Sequence, residues 1–193
     1  MLPVAHLSVT TALDTIYAEL AVTGAAISAA NAAELNLAAE TLHDARRIFT
    51  LGAGRSGIAL NMTAMRLMHL GLTVHVVGEA TAPAIETGDA LLVASGSGST
   101  TGIVSAARTA HEVGAKTVAI TADATSVIAD LADVAVIVPA ARKLDRDSTA
   151  SAQYAGSLFE QSVAIIGDAL FHALWKASGQ TADELWPRHS NLE

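Results

Sequence analysis

The stretch Leu91-Leu92-Val93-Ala94-Ser95-Gly96-Ser97-Gly98-Ser99-Thr100-Thr101 passes from four apolar residues into a segment made only of glycine, serine and threonine. An alanine-rich, helix-like run follows at 103–113. A strand, a glycine-rich turn and the first turn of a helix produce that order. Glycine permits a tight turn and lets an anion approach main-chain N–H groups. The helix start adds unpaired donors and the positive end of a dipole. The plainer reading is a helix cap on a simple loop, since serine and threonine are common caps. One cap needs one hydroxyl, however, and five hydroxyl residues fall within seven positions here. The segment reads as a cradle for a small phosphorylated ligand.

Working outward, the same order occurs once before it. A short apolar run at 47–51 leads into Gly52-Ala53-Gly54-Arg55-Ser56-Gly57, and a helical run continues through Leu70 to a C-terminal Gly71. Further strands are read at 73–77, 89–94, 116–121 and 134–138, with Ser126 capping a short helix between the last two. These strands are continuous apolar, β-branched runs rather than alternating ones, which suits strands covered on both faces. The expectation is an α/β fold: a doubly wound, five-stranded parallel sheet flanked by helices, a Rossmann-like sandwich.

Before the sheet, residues 9–42 carry apolar positions at helical spacing. They read as two helices, with Gly24 as a possible interruption and Asn31 as a cap. After it comes a charged loop holding Arg142, Lys143, Asp145, Arg146 and Asp147, then a long amphipathic helix at about 156–177 ended by Gly179. Thr181-Ala182-Asp183-Glu184 has capping-box spacing for a last short helix, stopped by Pro187. The whole chain reads as one domain, with N-terminal helices at 1–45, sheet and crossovers at 46–139, and loop, long helix and tail at 140–193.

Composition sets bounds on function. The 193 residues are 51% hydrophobic but only 4% aromatic, so the core is built from Ala, Val, Ile and Leu. A formal net charge of −8 argues against nucleic acid, which needs a positive footprint. It leaves room for an anionic small molecule, which a few local donors can hold. No cysteine is present, which removes thiolate chemistry. No apolar run is long enough to span a membrane and no secretory leader opens the chain, so a cytoplasmic protein is expected.

Gly52, Gly54 and Gly57 also fit the dinucleotide fingerprint G-x-G-x-x-G, and Glu79 follows the next strand about where such folds place a ribose-binding acid. Against a nicotinamide or flavin site stand Arg55 and Ser56, which suit direct contact with a small ligand, and the second glycine–hydroxyl loop, which that fingerprint does not explain. Ligands of doubly wound sheets bind at the carboxyl ends of the strands near the switch in strand order. Both loops can face one pocket there. Ser56, Ser95, Ser97 and Thr100 would then converge on one phosphate, leaving Arg55 free to neutralise charge or hold a sugar hydroxyl.

Glu160, near the start of the long helix and flanked by apolar residues, is the carboxylate best placed to be desolvated and to serve as a general base. The competing reading is a glutamate that interacts with the helix dipole. No histidine–carboxylate set has zinc-like spacing, so no metal is expected. Ser56 lacks the G-x-S-x-G context of a nucleophile.

Several runs together resemble the sugar isomerase (SIS) domain of the 6-phospho-3-hexuloisomerase family: Gly52-Ala53-Gly54-Arg55-Ser56-Gly57, Met65-Arg66-Leu67-Met68-His69-Leu70-Gly71, Val76-Val77-Gly78-Glu79 and Ser95-Gly96-Ser97-Gly98. Asp145-Arg146-Asp147-Ser148, Leu158-Phe159-Glu160 and the terminal Arg188-His189-Ser190-Asn191-Leu192-Glu193 are similar to the same family. The family usually has glutamate where this chain has Ser99, and serine can take over a capping role. It often has proline where this chain reads Tyr154-Ala155-Gly156-Ser157.

The resemblance implies interconversion of D-arabino-hex-3-ulose 6-phosphate and D-fructose 6-phosphate through an enediolate. That reaction is the second step of formaldehyde fixation by the ribulose monophosphate pathway, downstream of a hexulose-phosphate synthase. No cofactor is implied. The implied catalytic set is Glu160 as the proton-shuttling base, with His69 and His189 handling hydroxyl protons. His189 would come from a neighbouring subunit of a homotetramer. The implied phosphosugar shell is Gly54, Arg55, Ser56, Ser95, Gly96, Ser97, Gly98, Ser99 and Thr100. Another SIS phosphosugar isomerase, or a non-catalytic phosphosugar-binding protein, would keep the same loops.

Overall fold

In the computed structural model, residues 8–140 and 151–192 are described. Two helices, α1 (Val9–Ala30) and α2 (Ala32–Asp44), precede an alternating series. The series runs β1 (Ile48–Gly52), α3 (Gly54–His69), β2 (Val74–Val76), β3 (Ala90–Ala94), α4 (Thr101–Glu112), β4 (Lys116–Thr121), α5 (Val127–Leu131) and β5 (Val134–Ile137). The long α6 (Ser157–Ser178), the short α7 (Ala182–Leu185) and a 3-10 turn (Trp186–Arg188) close it.

All neighbouring strands pair in parallel, in the order β2-β1-β3-β4-β5. The period-two alternation of a strand then divides the sheet's side chains between two layers. Ile48, Ala90, Leu92, Val118 and Ile120 pack with α2, α3 and α6, whereas Phe49, Leu91, Val93 and Ala119 pack with α4 and α5. Every residue of β3 is buried, as its uninterrupted apolar run requires.

Two local expectations are corrected. Gly24 does not interrupt α1, which runs on to Ala30. Asn31 makes no side-chain cap for α2. Its carboxamide instead meets the outer edge of β5, accepting from Ile137 N at 2.8 Å and donating to Ile137 O at 3.0 Å. One carboxamide thus pairs both main-chain groups of Ile137 at a sheet edge that no strand covers among the described residues. The final helix α7 does end before Pro187, at Leu185, and Pro187 falls at the start of the 3-10 turn that follows, where its missing N–H costs nothing.

Helices α3 and α6 lie side by side and run in the same direction. Arg55 meets Glu160, Thr63 lies against Gly167, and the Arg66 guanidinium stands 5.8 Å from the Phe171 ring. Gly167 has to be small because a Cβ there would overlap the Thr63 hydroxyl. This register carries the start of α6 to the carboxyl end of β1.

Candidate functional site

Strand order reverses between β1 and β3, so the loops that follow these two strands lie next to each other at their carboxyl ends. The first loop turns within two residues: Gly54 adopts φ +58° and opens α3. Gly52 and Gly57 are in backbone contact, and a Cβ on Gly57 would sit 2.5 Å from the Gly52 carbonyl oxygen. Their part in the glycine pattern is the close approach of helix and strand. Glu79, the counterpart of a ribose-binding acid, lines a different apolar cleft with Phe49, Pro83 and Ile85. The dinucleotide reading loses its acid as well as its strand order.

The second loop is held from behind. Gly98, at φ +59°, presses on Ser126, whose side chain caps α5. Gly96 accepts from Ala122 N at 3.1 Å, and a Cβ on Gly96 would touch the Phe159 ring at 3.4 Å. Between the two loops and the first turn of α6 lies a cleft of about 180 Å³. Gly54, Arg55, Ser56, Ser95, Gly96, Ser97, Thr100 and Glu160 all line it.

The helix ends explain what the cleft offers. The starts of α1, α5 and α7 are capped by the side chains of Ser8, Ser126 and Thr181. The starts of α3, α4 and α6, at Ala53, Thr100 and Gly156, carry no side-chain cap, and all three residues are at or beside this cleft. Uncapped helix starts present N–H donors and positive dipole ends to an anion.

The hydroxyls are arranged among themselves. Ser95 Oγ and Thr100 Oγ1 lie 2.9 Å apart. Ser97 Oγ accepts from the N–H of Ser99 at 3.3 Å and from its hydroxyl at 3.0 Å. Ser99 therefore does not cap α4, whose N-cap is Thr100. It supports Ser97 from outside the cleft, and its two donations leave the Ser97 hydroxyl proton for a ligand.

Arg55 is not left free. Its Nε donates to Glu160 Oε2 at 2.6 Å, joining the start of α3 to that of α6. The Glu160 side chain is only 17% exposed, whereas that of Arg55 is 66% exposed. The sequence names both residues for the site but does not reveal their pairing, which depends on the parallel packing of α3 and α6.

His69 and His189 come together elsewhere. Their rings stack with centroids 3.9 Å apart, and Arg188 Nη1 donates to the His69 carbonyl at 3.2 Å, tying the tail to the end of α3. His69 is buried, and its Nδ1 has no hydrogen-bond partner among the described residues. Burial pushes its imidazole below the ordinary value, and the neighbouring His189 and Arg66 add to that. His189 Nδ1 lies 3.1 Å from the Trp186 carbonyl, which can only accept. For that contact to be a hydrogen bond, Nδ1 carries the proton. This pair occupies the C-terminal end of α3. The fifteen steps from Gly54 to His69 span roughly 22 Å at 1.5 Å each, so one chain does not bring the pair to Glu160.

Among the described residues, no group of three or more His, Asp or Glu side chains is placed to hold a metal ion. No helix among them is long and apolar enough to cross a membrane. Asp145-Arg146-Asp147-Ser148 and the rest of the charged loop to residue 150 lie outside the described residues, as do residues 1–7 and Glu193.

Known proteins resemble this chain. The SIS domain matches residues 41–165. A 3-hexulose-6-phosphate isomerase of Mycobacterium gastri is 56% identical over 147 residues, covering 76% of this chain and 74% of that protein. One of Bacillus subtilis is 35% identical over 161 residues, covering 83% and 87%. The crystal structure of a hypothetical protein from Methanococcus jannaschii, described as inferring 3-hexulose-6-phosphate isomerase function, superposes with a TM-score of 0.80 at 28% identity. That match covers 95% of this chain and 99% of the other. The matched span runs from α2 into α6 and contains both glycine loops and Glu160. The chain belongs to the SIS domain family.

Proposed function

We propose that this protein is a 6-phospho-3-hexuloisomerase, an enzyme that interconverts D-arabino-hex-3-ulose 6-phosphate and D-fructose 6-phosphate. The observation that carries the reading is one cleft where a carboxylate faces three uncapped helix starts and a ring of hydroxyls. The identity of the Mycobacterium gastri relative supplies the substrate class.

In this reading the phosphate sits on the Ser56 and Ser95–Thr100 loops, held by main-chain N–H groups and by the Ser97 hydroxyl. Gly98 and Ser99 shape the second loop from behind. Glu160 takes the proton from C2 of the 3-ulose, and the C2–H electrons form the C2=C3 double bond of the enediolate. The same carboxyl returns the proton to C3, leaving the carbonyl at C2. One base thus serves both half-reactions, and a second group moves the hydroxyl proton from O2 to O3. Arg55, already beside Glu160, is the cation that faces the enediolate or the phosphate.

His69 and His189 are assigned to hydroxyl proton transfer from a neighbouring copy in a homotetramer. Their distance from Glu160 within one chain supports this. So does the outer face of α3, where Ile58, Met62 and Met65 are 64%, 51% and 58% exposed. Arg55 and Met62 are seven residues apart on that face, and His69, seven residues further on, is buried against the stacked ring of His189. Two α3 helices meeting antiparallel about Met62 would set His69 of one copy beside Arg55 of the other. The pathway setting is formaldehyde fixation in the cytoplasm, with a hexulose-phosphate synthase supplying the substrate and the whole chain acting as one SIS unit.

The test is a coupled assay with formaldehyde, ribulose 5-phosphate and a separate synthase, scored for fructose 6-phosphate. Product above the synthase-only control is expected, and its absence would defeat the proposal. A Glu160→Gln enzyme is expected to lose about 10²- to 10⁴-fold in kcat. Near-normal turnover would remove Glu160 as the base.

A further inference from the structure

The segment that leads into α6 is fastened by a residue far upstream. Glu19, on α1, accepts three hydrogen bonds from it: the Ala152 N–H to Oε1 at 2.6 Å, and the Ser151 hydroxyl and Gln153 carboxamide to Oε2 at 3.0 and 2.9 Å. Ser151 Oγ in turn accepts from Gln153 N at 3.0 Å. The Gln153 carboxamide oxygen then accepts from Gln161 Nε2 at 2.9 Å. Gln161 is the neighbour of Glu160. A continuous chain of polar contacts thus runs from α1 to the first turn of α6.

Burial pushes the Glu19 carboxyl up, but the hydrogen bonds from Ala152, Gln153 and Ser151 outweigh it and hold the group below the usual range. A charged acceptor with three donors is the stronger class of hydrogen bond, and its geometry is correspondingly fixed. Helix α6 has no side-chain cap of its own at Gly156, so its first turn depends on the preceding segment for orientation. Glu19 also lies outside residues 41–165, the part of the chain that the SIS domain matches.

We propose that Glu19 is a positioning residue that sets the orientation of Glu160 by holding residues 151–153 and, through Gln153, Gln161. The proposal rests on the reading of Glu160 as the base. Glu19 touches neither the cleft nor the phosphate loops, so it acts on turnover and not on phosphate binding.

The chemistry of substitution is specific. In Glu19→Gln one acceptor oxygen becomes an NH₂ group, and whichever oxygen is replaced, at least one donor of the segment then faces another donor. The volume is unchanged, so the fold is retained. The experiment compares Glu19→Gln, Gln153→Ala, the double variant and Glu160→Gln in the direction from fructose 6-phosphate, with thermal melts for each.

The expected result is a kcat about ten- to a hundredfold lower in Glu19→Gln, with KM changed less than about threefold. Gln153→Ala lowers kcat in the same sense, and the double variant is no worse than the poorer single, because both act through one chain of contacts. A lowered melting temperature with unchanged kcat would overturn the proposal, as would a rise in KM alone or fully additive losses. Glu160→Gln separates the two readings. If it is inactive while Glu19→Gln turns over normally, only the positioning role fails. If Glu160→Gln keeps its turnover, the base assignment fails and the positioning role falls with it.

Discussion

Arg55 Nε and Glu160 Oε2 are 2.6 Å apart although 105 residues separate them in the chain. The charge that faces an incoming anion is thus already engaged by the carboxylate assigned as the base. A sugar phosphate that draws Arg55 toward itself releases Glu160 from its hydrogen bond at the same moment. Removing the guanidinium in Arg55→Ala is expected to raise KM for fructose 6-phosphate about ten- to a hundredfold, the equivalent of one charge-assisted hydrogen bond of roughly 1.5–3 kcal/mol. Arg55→Lys, which keeps the charge but not the fork, should recover only part of that. Steady-state kinetics decides it, and an unchanged KM in Arg55→Ala would take Arg55 out of the ligand shell.

Ser97 makes a narrower prediction. Its hydroxyl is supported by two donations from Ser99, so Ser97→Ala removes a donor that the loop has prepared. KM should rise about five- to tenfold while kcat falls less than twofold, in line with one hydrogen bond of about 1–1.5 kcal/mol. Ser99→Ala, which only loosens Ser97, should give a smaller rise in KM. Equal effects of the two substitutions would contradict the arrangement.

Glycines at two places should respond in opposite senses. Gly57→Ala drives a Cβ into the Gly52 carbonyl, and neither backbone can yield without parting α3 from β1. A loss of about 2–3 kcal/mol in urea unfolding is expected, together with weakened substrate binding. Gly24→Ala sits inside α1 with nothing within 4 Å, and it should stabilise by about 0.5–1 kcal/mol. A neutral Gly57→Ala would refute the close-approach role.

Acid lowers stability in two steps. Burial pushes the His69 imidazole below its ordinary value, so the unfolded chain binds its proton first. Stability from this group is present above about pH 6.5 and is lost as pH falls toward the folded value. Asp89 is the second group. Burial raises its carboxyl, but the hydrogen bond from Arg47 at 2.6 Å, the Glu86 N–H and the charges of Arg47 and Arg46 pull it below the ordinary range. Its contribution is present above about pH 4 and is lost as pH falls through the folded value. Urea melts from pH 8 to pH 3 should show both steps. Asp89→Asn removes the lower one and costs about 3 kcal/mol at neutral pH, since the Asp89 side chain is fully buried and Arg47 keeps only its longer ion pair, 3.3 Å, to the exposed Glu86. A flat profile between pH 8 and pH 5 would exclude the His69 step.

The shared site can be tested by mixing subunits. Glu160→Gln and His69→Ala chains are each expected to be inactive as homo-oligomers. Hybrids refolded from an equal mixture should recover activity in about a quarter of the sites, those that draw Glu160 and His69 from different intact sources. No recovery in verified hybrids would mean that the histidines do not act across a subunit boundary.

Much of the architecture was legible residue by residue. The short, β-branched apolar runs around Leu91 and Val118 form buried strands as their length and composition suggest, and Gly71 and Gly179 mark helix ends by their positive φ. The Thr181–Glu184 capping box formed as its spacing requires. At Asn31 local reading erred because of a distant partner. Asn31 has the composition of a cap, yet β5, 106 residues away, offered its carboxamide an unpaired edge. Ser99 lost the capping role to Thr100 for a local reason, because its hydroxyl found Ser97 two residues away.

For the site, the sequence by itself determined which chemical groups are present: two glycine turns with their hydroxyls, one arginine, one carboxylate and two histidines. Spacing along the chain suffices for that, because each turn and helix start is built from contacts within a few residues. Only the tertiary structure decided which groups meet. The parallel packing of α3 on α6 joins Arg55 to Glu160 and puts α3's full length between Glu160 and the stacked His69 and His189. The contact of α1 with residues 151–153 ties Glu19 to the approach of α6. Such pairings depend on helix direction and register, which are settled by side-chain packing across the core and leave no periodic mark in either segment alone.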